Sequence, residues 1–192
     1  YPASKLKTID YLFKYNGLTI DIDRVYRYLD KLSKKQQELI QKISYEHTLK
    51  ILDDQLSMVF YDVTTLYFED GQEDDLRKMG FSKEGKHQQP QIVLGLLVSM
   101  GGYPLAYEMF EGNKFEGQTM LPIVDAFKEK YKLQNLIVIA DAGLMSNDNI
   151  SQLQSKNYEY IIGARIKNET HKLQKEILSG KLTNGESISI TK

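Results

Sequence analysis

The sequence predicts an α/β protein in which a mixed five-stranded sheet is flanked by helices and preceded by a small helical segment. Three observations lead to this prediction. Runs rich in apolar and β-branched residues have the length of buried strands, and the first of them covers residues 56–68. Gly101 and Gly102 separate two of these runs, as the turn of a hairpin does. The later runs alternate with stretches of helical periodicity, which is typical of strands joined by helices.

The composition predicts a globular protein without disulfides or membrane spans. Of the 192 residues, 41% are hydrophobic, which is enough for a core, and none is cysteine, which fits a reducing cytosol. No apolar run reaches the roughly 18 residues that a membrane span needs. The net charge of −1 is unusual for a nucleic-acid binder, so DNA contact would depend on local basic clusters or on segments outside this chain. Because the chain starts without Met, it is expected to be a piece of a longer protein.

Residues 1–54 are predicted to form the helical N-terminal segment. Residues 1–17 show no clear period, whereas apolar residues from Ile22 onward recur at helical spacing behind Asp21, the expected N-cap. Ser33 begins a capping-box pattern, which predicts a second helix to about residue 50. The apolar face of that helix is expected to consist of Leu39, Ile40, Ile43 and His47. This helix pair either packs against the core or contacts DNA.

Residues 55–167 are predicted to form the core. The strands after the first are expected at residues 91–100, 103–110, 136–140 and 158–164. Thr119 and Ser146 are the expected N-caps of two helices between them, and Asn157 is the expected left-handed end of the second. Three strands in a meander, followed by two helix-linked strands, form the ribonuclease H-like arrangement. Residues 168–192 are polar and predict a short helix, followed by the truncated start of a β-rich insertion.

Two charged loops follow the first strand. Residues 69–75 contain five acidic side chains without the ligand spacing of a calcium loop, so we expect a solvated loop. Residues 80–86 contain two glycines and are expected to form a turn. Lys86 in this turn is a candidate contact to DNA phosphate, and simple solvent exposure is the alternative.

Two aspartates interrupt or close apolar runs. Asp62 lies within the first strand, and Asp141 follows the fourth strand. The first strand is predicted to be buried on both faces, so an unpaired carboxylate within it would be costly. Strands one and four are neighbours in the predicted topology, so the two carboxylates would lie side by side and repel each other without a cation. Such oxygen ligands select Mg²⁺ or Mn²⁺, whereas the alternative is that both aspartates cap backbone N–H groups. Thr64 either orients Asp62 through a hydrogen bond or simply satisfies β propensity.

Four segments carry a family resemblance. They are YDVTTLYFE at 61–69, LRKMGFSKEGKHQQPQIVLGLLVS at 76–99, YPLAYEMFEGN at 103–113 and VIADAGLMS at 138–146. In this order they resemble insertion-sequence transposases of the IS4-like DDE superfamily, most closely the IS1634 group. In that family the Asp of D-V-T-T and the Asp of A-D-A-G are the first two members of a catalytic triad. They match Asp62 and Asp141.

The resemblance implies a core that binds Mg²⁺ or Mn²⁺, nicks double-stranded DNA at transposon ends and joins the free 3′-OH to target DNA. It also implies a homodimer on DNA, in the bacterial cytoplasm and at the nucleoid. The third member of the family triad is a Glu in a Y-R-E-K-type segment beyond a β-rich insertion, and the chain contains no such segment. Glu169, Glu176 and Glu186 lack that context. The alternatives are a catalytically incomplete DNA-binding relic and a metal-dependent nuclease on the same fold.

Two further pairs of residues are candidates for the site. Asn113 and Glu116 resemble the family's G-N-x-x-D/E segment and either approach the site or shape the turn. Arg165 and Lys167 leave the fifth strand, and they either hold DNA phosphate or mark a solvated strand end.

Overall fold

The computed structural model describes residues 3–53, 55–82, 84–144, 146–180, 187 and 189. The helices of this part of the chain are α1 (Lys5–Asn16), α2 (Ile22–Lys35), α3 (Gln37–Ile51), α4 (Met120–Tyr131), α5 (Asn147–Ser155) and α6 (His171–Ser179). The strands are β1 (Met58–Tyr67), β2 (Gln91–Ser99), β3 (Pro104–Glu111), β4 (Ile137–Ala140) and β5 (Glu159–Ile162). Short 3₁₀ turns, Glu116–Gln118 and Ile166–Asn168, precede α4 and follow β5.

The five strands form one sheet in the order β3-β2-β1-β4-β5. β1, β2 and β3 form an antiparallel meander, β4 runs parallel to β1, and β5 runs parallel to β4. The chain reaches β4 through α4 and β5 through α5, as parallel neighbours require a crossover rather than a tight turn. These directions and this order are those of the ribonuclease H-like arrangement, so the predicted fold class is confirmed.

One face of the sheet carries the hydrophobic core. Inward side chains of β1 and β4, among them Val59, Tyr61 and Val138, are buried. The residues that α4 buries against them are Met120, Leu121, Ile123, Val124 and Phe127. Tyr45 of α3 stacks on the Tyr131 ring of α4 with a centroid distance of 3.6 Å. Since aromatic contacts of this kind add to the free energy of burial, they fasten α3 to the core.

The opposite face of the sheet, which carries Asp62, is partly open in the described part of the chain. β1 alternates along its length, with Val59 and Tyr61 buried and Asp62 exposed. Leu66 and Ile161, on the same face as Asp62, are 45% and 58% exposed. The prediction of a strand buried on both faces is therefore wrong, and no desolvation cost demands a partner for Asp62. Asp62 also lies in the middle of β1 rather than at its end.

The N-terminal segment contains α1, which has no counterpart in the sequence prediction. Ser4 caps this helix by accepting a hydrogen bond from the Lys7 N–H at 3.3 Å. Gly17 ends it in the left-handed region, with a φ of +66°. Leu6, Ile9 and Phe13 recur at helical spacing, a signal that the sequence interpretation missed, although none of the α1 residues is buried.

The side of α3 that faces the protein differs from the predicted one. The predicted face consists of exposed residues, which are Leu39, Ile40, Ile43 and His47. The helix instead buries Tyr45 and Thr48. Gln41 Nε2 donates a hydrogen bond to the Tyr107 carbonyl at 2.9 Å, and Tyr107 lies on the edge strand β3. The orientation of α3 is therefore set by the Tyr45 stacking together with polar contacts to a sheet edge, and apolar periodicity does not report the polar contacts.

Three predicted helix ends are confirmed. Asp21 accepts a hydrogen bond from the N–H two residues later at 3.1 Å and begins α2. Ser146 accepts one from the N–H three residues later at 3.1 Å and begins α5. Asn157 follows α5 with a φ of +53°. Short polar side chains at helix starts and a left-handed Asn near a helix end are local signals, so they survive without tertiary information.

Two other predicted caps differ from the expectation. Ser33 lies inside α2, which continues to Lys35, so it begins no new helix. Thr119 is the N-cap residue of α4, as predicted, but its side chain accepts no hydrogen bond from an N–H group of that helix. Its hydroxyl donates to the Glu116 carbonyl at 2.6 Å and accepts from the Tyr61 hydroxyl at 2.8 Å. A buried tyrosine thus takes the acceptor that the cap would have used.

The remaining predictions concern loops and the C-terminal tail. Residues 69–75 are exposed, as predicted, and α6 confirms the short helix predicted around residues 173–178. The predicted β element around Ile188 and Ile190 lies outside the described residues. Within residues 3–53, 55–82, 84–144 and 146–180, no helix has the length and apolar character that a membrane span needs.

Gly95 on β2 leaves the room that the Tyr61 side chain occupies. A Cβ at position 95 would overlap the Tyr61 hydroxyl. We expect Gly95→Ala to lower the free energy of unfolding by about 1–3 kcal/mol, because Tyr61 must move within a packed core. Gly71→Ala is the control, since a Cβ there meets no atom within 4 Å. Urea denaturation measures both, and equal stability of the two variants would contradict this packing.

Candidate active site

The sheet register places Asp62 and Asp141 beside each other. β1 and β4 pair in parallel up to Tyr61 and Ala140, and every pair has the same sequence offset. The next position along each strand is Asp62 on one side and Asp141 on the other. Neighbouring strands lie about 5 Å apart, so the backbones of the two aspartates are adjacent. Both residues are exposed.

Asp62 is held by the central strand of the sheet. β1 pairs with β2 through Asp62 and Leu96, and with β4 as far as the preceding residue. The Asp62 Oδ1 atom accepts a hydrogen bond from the Val63 N–H at 2.8 Å. On the buried face, desolvation raises the pKa of the adjacent Tyr61 to about 12, so this hydroxyl stays a neutral donor. The buried face of β1 is therefore fixed in the core, while Asp62 on the opposite face is exposed.

Asp141 lies in a tight loop immediately after β4. Its Oδ1 atom accepts hydrogen bonds from the Gly143 N–H at 2.8 Å and the Leu144 N–H at 3.3 Å. The alternative interpretation of Asp141 as a backbone cap is thus true of this structure. It does not exclude metal binding, because a carboxylate has about four acceptor sites and these bonds use one oxygen.

Gly143 is a part of the site that the sequence interpretation missed. A Cβ at position 143 would lie 3.0 Å from Asp141 Oδ1 and 3.3 Å from Oδ2, closer than ordinary van der Waals contact. The A-D-A-G segment contains the signal, since a glycine two residues after a carboxylate permits close approach of the backbone. Residue 143 must be small for the Asp141 carboxylate to hold this position.

The donor set at this junction fits a hard divalent cation. Two carboxylates on adjacent backbones supply oxygen ligands, and Mg²⁺ takes few protein ligands because water and phosphate complete its octahedron. In the described part of the chain, no cluster of three or more His, Cys, Asp or Glu side chains could hold a metal. Glu169 and Glu176 are described and join no such cluster, and Glu186 lies outside the described residues.

A cavity of about 400 Å³ adjoins the Asp141 loop and brings several candidate residues together. Asn113, Glu116 and Arg165 line it together with Gly143. Two aromatic side chains in its wall, Phe81 and Phe115, are 78% and 64% exposed and have no place in the sequence interpretation. Phe81 directly follows Gly80 in the second family segment, which is a signal that could have found it, whereas Phe115 lies outside the quoted segments.

Arg165 has partners that the sequence interpretation did not foresee. Its Nε atom donates to the Ala142 carbonyl at 2.7 Å, and one Nη atom donates to the Gly143 carbonyl at 3.1 Å. Arg165 is exposed, as the solvated alternative expects, and it is also bound to the loop through these two hydrogen bonds. A phosphate contact by the same guanidinium stays a prediction.

The other candidates are Thr64 and two lysines, and none of them makes a hydrogen bond or ion pair to the two aspartates among the contacts of the described residues. Among the described residues, Thr64 makes no hydrogen bond to Asp62, which favours the interpretation of Thr64 as a strand former. Lys86 Nζ pairs with Glu84 at 2.7 Å and lies 4.7 Å from the centroid of the Tyr67 ring. Lys167 is exposed in the 3₁₀ turn after β5. Both lysines are on the surface, where phosphate contact stays a prediction.

Comparison with known families decides which kind of domain this is. The family model described as transposase DDE domain matches residues 53–190, which is more than half of the chain. The chain belongs to the transposase DDE domain family. No curated protein matches it.

Three solved structures show a distant likeness to this DDE domain. The Mos1 mariner paired-end complex with Mn is 16% identical over 66% of this chain and 42% of that one, with a TM-score of 0.36. The Mos1 transposase paired-end complex with left transposon end is 12% identical over 93% and 71%, with a TM-score of 0.38. The piggyBac transposase synaptic complex with hairpin DNA is 14% identical over 93% and 41%, with a TM-score of 0.41. The DDE domain thus spans less than half of the first and third of these chains, and the family assignment comes from residues 53–190.

The two hydrogen bonds that Asp141 accepts lead to a prediction about how much the loop contributes to stability. Asp141→Ala should lower the free energy of unfolding by about 1 kcal/mol, because two backbone N–H groups lose their acceptor. Asp141→Asn keeps an oxygen at the same position and should be within about 0.5 kcal/mol of the unmodified chain. Thermal or urea denaturation measures both changes. A loss in the Asn variant as large as that in the Ala variant would mean that charge, not the hydrogen bonds, holds the loop.

Proposed function

We propose that this DDE domain is the catalytic core of a transposase that cleaves DNA strands at transposon ends and joins the free 3′-OH to target DNA. The observation that carries the proposal is the parallel register of β1 and β4, which sets Asp62 beside Asp141 in a chain of the DDE family. Asp62 and Asp141 are the proposed catalytic residues and the ligands of Mg²⁺ or Mn²⁺. When bound, such ions activate an attacking oxygen and stabilise the leaving oxygen of a phosphodiester.

In this proposal the residues of the chain must leave the aspartates accessible, hold a cation and contact DNA phosphates. Asp62 and Asp141 lie exposed on a partly open side of the sheet, so a DNA backbone can approach them without displacing a described element. Two uncompensated carboxylates repel phosphate, so a cation held by Asp62 and Asp141 would reduce this repulsion and allow DNA to bind. Local basic groups then contact phosphates, because the net charge of −1 supplies no general attraction. The basic candidates for this contact are Lys86, Arg165 and Lys167, and the neutral amide of Asn113 is a fourth candidate for a phosphate hydrogen bond.

The finer points of the proposal come from the sequence resemblance. The chain is proposed to be an IS4-like transposase of the IS1634 group that acts as a homodimer on double-stranded DNA in the bacterial cytoplasm. Residues 55–167 would be the catalytic core, after a helical segment at 1–54 and before an insertion that starts at 168. The third carboxylate of the triad would come from outside residues 1–192. A DNA-binding relic is the second candidate, because the described residues show no three-carboxylate cluster.

Metal binding by the two aspartates can be measured on the chain itself. We expect Mn²⁺ titration, followed by the electron paramagnetic resonance signal of free Mn²⁺, to show binding that either Asp62→Asn or Asp141→Asn weakens by at least about tenfold. Glu159→Gln is the matched control, since Glu159 is an exposed carboxylate at the far end of the same sheet face. Equal affinities in all four proteins, or no binding at millimolar Mn²⁺, would count against the site.

Strand cleavage tests the function in the protein expressed from its complete gene. Asp62→Ala should reduce cleavage of a duplex carrying the inverted repeats that flank that gene by about 10³-fold or more. Binding of the same duplex should change little, because Asp62 holds the metal rather than the bases. Glu159→Gln again serves as the control. Loss of binding together with cleavage in a folded Asp62→Ala variant would argue against a catalytic role, and an inactive unmodified protein would favour the relic.

A further inference from the structure

We infer that Arg165 is a positioning residue that sets the Asp141 carboxylate through the two peptide groups of the intervening loop. This inference rests on the proposed function, since it assigns a role within the proposed metal site. It concerns a guanidinium that does not touch the carboxylate oxygen atoms in any hydrogen bond of the described residues.

The contacts form two parallel chains from Arg165 to one oxygen atom. Arg165 Nε donates to the Ala142 carbonyl at 2.7 Å, and the N–H of the same peptide group, that of Gly143, donates to Asp141 Oδ1 at 2.8 Å. An Arg165 Nη atom donates to the Gly143 carbonyl at 3.1 Å, and the N–H of that peptide group, that of Leu144, donates to Asp141 Oδ1 at 3.3 Å. Each peptide group therefore has the cation on its oxygen and the carboxylate on its N–H.

The charge of Arg165 strengthens the hydrogen bonds that the loop donates to Asp141. A cation that binds a carbonyl oxygen polarises the peptide group and makes its N–H a stronger donor, so successive hydrogen bonds reinforce one another. Both chains end on Oδ1, and Oδ2 accepts no hydrogen bond from the N–H groups of the described loop residues. The Arg165 guanidinium thus holds the carbonyl side of the loop, and the N–H side of the loop holds the Asp141 carboxylate, which is the proposed metal ligand.

The position of Arg165 follows from the sheet. β5 runs parallel to β4 and pairs Ile162 with Ala140, and the Gly163 N–H donates to the Ala140 carbonyl at 3.1 Å. A Cβ on Gly163 would lie 2.8 Å from the Ala142 nitrogen, so the end of β5 lies directly against the loop. Arg165, two residues later, reaches both carbonyls from this side.

An arginine is required because one planar group must donate to two carbonyls at once. The guanidinium presents several N–H donors in a fixed fork, whereas a lysine ammonium is a single charged point on a flexible stem. Arg165→Lys therefore separates the two possible roles of this residue. It keeps the charge that a phosphate contact needs and removes the fork that the loop needs.

The experiment compares Arg165→Lys and Arg165→Ala with Arg24→Lys, the same chemical change at an exposed arginine of α2. Amide hydrogen exchange by NMR measures the exchange rates of the Gly143 and Leu144 N–H groups. Mn²⁺ titration measures the metal affinity of the site that contains the Asp141 carboxylate. We expect both Arg165 variants to speed exchange at these two amides by about tenfold, because the opening of the loop becomes easier. We expect their Mn²⁺ affinity to fall by roughly tenfold, as it does when partners of metal ligands are removed. Exchange in β1 and β4 should stay unchanged, which a general loss of structure would not allow.

Two outcomes would overturn the inference. Unchanged exchange at Gly143 and Leu144 in Arg165→Lys would show that the fork does not hold the loop, whether or not the unmodified chain binds Mn²⁺. Faster exchange with unchanged Mn²⁺ affinity would show that the loop does not set the carboxylate. Absence of Mn²⁺ binding in the unmodified chain would instead refute the proposed metal site, and the exchange measurement would still decide the role of Arg165 in the loop.

Discussion

The parallel pairing of β1 with β4 is the interaction on which the candidate site depends. Asp62 and Asp141 are 79 residues apart in sequence, as are Met58 and Ile137 at the start of the ladder. A slip of one residue would move one aspartate to the opposite face of the sheet. The buried side chains on the other face oppose such a slip, because either Val59 or Val138 would then have to leave the core. The packing of α4 therefore maintains the register that brings the carboxylates together.

The same sheet keeps the two carboxylates accessible. Its covered face packs against α4, which in turn makes aromatic contacts with α3. The face of Asp62 is partly open in the described part of the chain. Like charges on adjacent backbones are tolerated more easily in water than in a core, since water screens their repulsion. Exposure therefore makes the pair compatible with a stable fold without a metal. The repulsion that remains would be relieved by the proposed cation, which would add to its affinity.

The sequence predicts the parts of this protein whose signals are local or periodic. The strand runs and the Gly101-Gly102 turn are enough for the sheet, and Ser146 and Asn157 mark helix ends by their own chemistry. The parts that were predicted wrongly depend on neighbours far away in sequence. The exposure of Asp62 depends on what covers a sheet face, and the buried side of α3 depends on its contacts with α4 and with the edge of β3. The contacts of Arg165 with the Asp141 loop likewise exist only because β5 lies beside β4.

The two aspartates differ in what holds them, and this difference explains why Arg165 matters. Asp62 lies inside a strand that pairs on both sides, so the ladders of β1 fix its backbone. Asp141 lies beyond the last paired residue of β4, where no ladder continues. A metal ligand must be held as firmly on the loop as on the strand, because a loosely held carboxylate loses more conformational entropy on binding. The chains of hydrogen bonds from Arg165 through two peptide groups replace the missing ladder, so a change at Arg165 should loosen one carboxylate and leave the other in place.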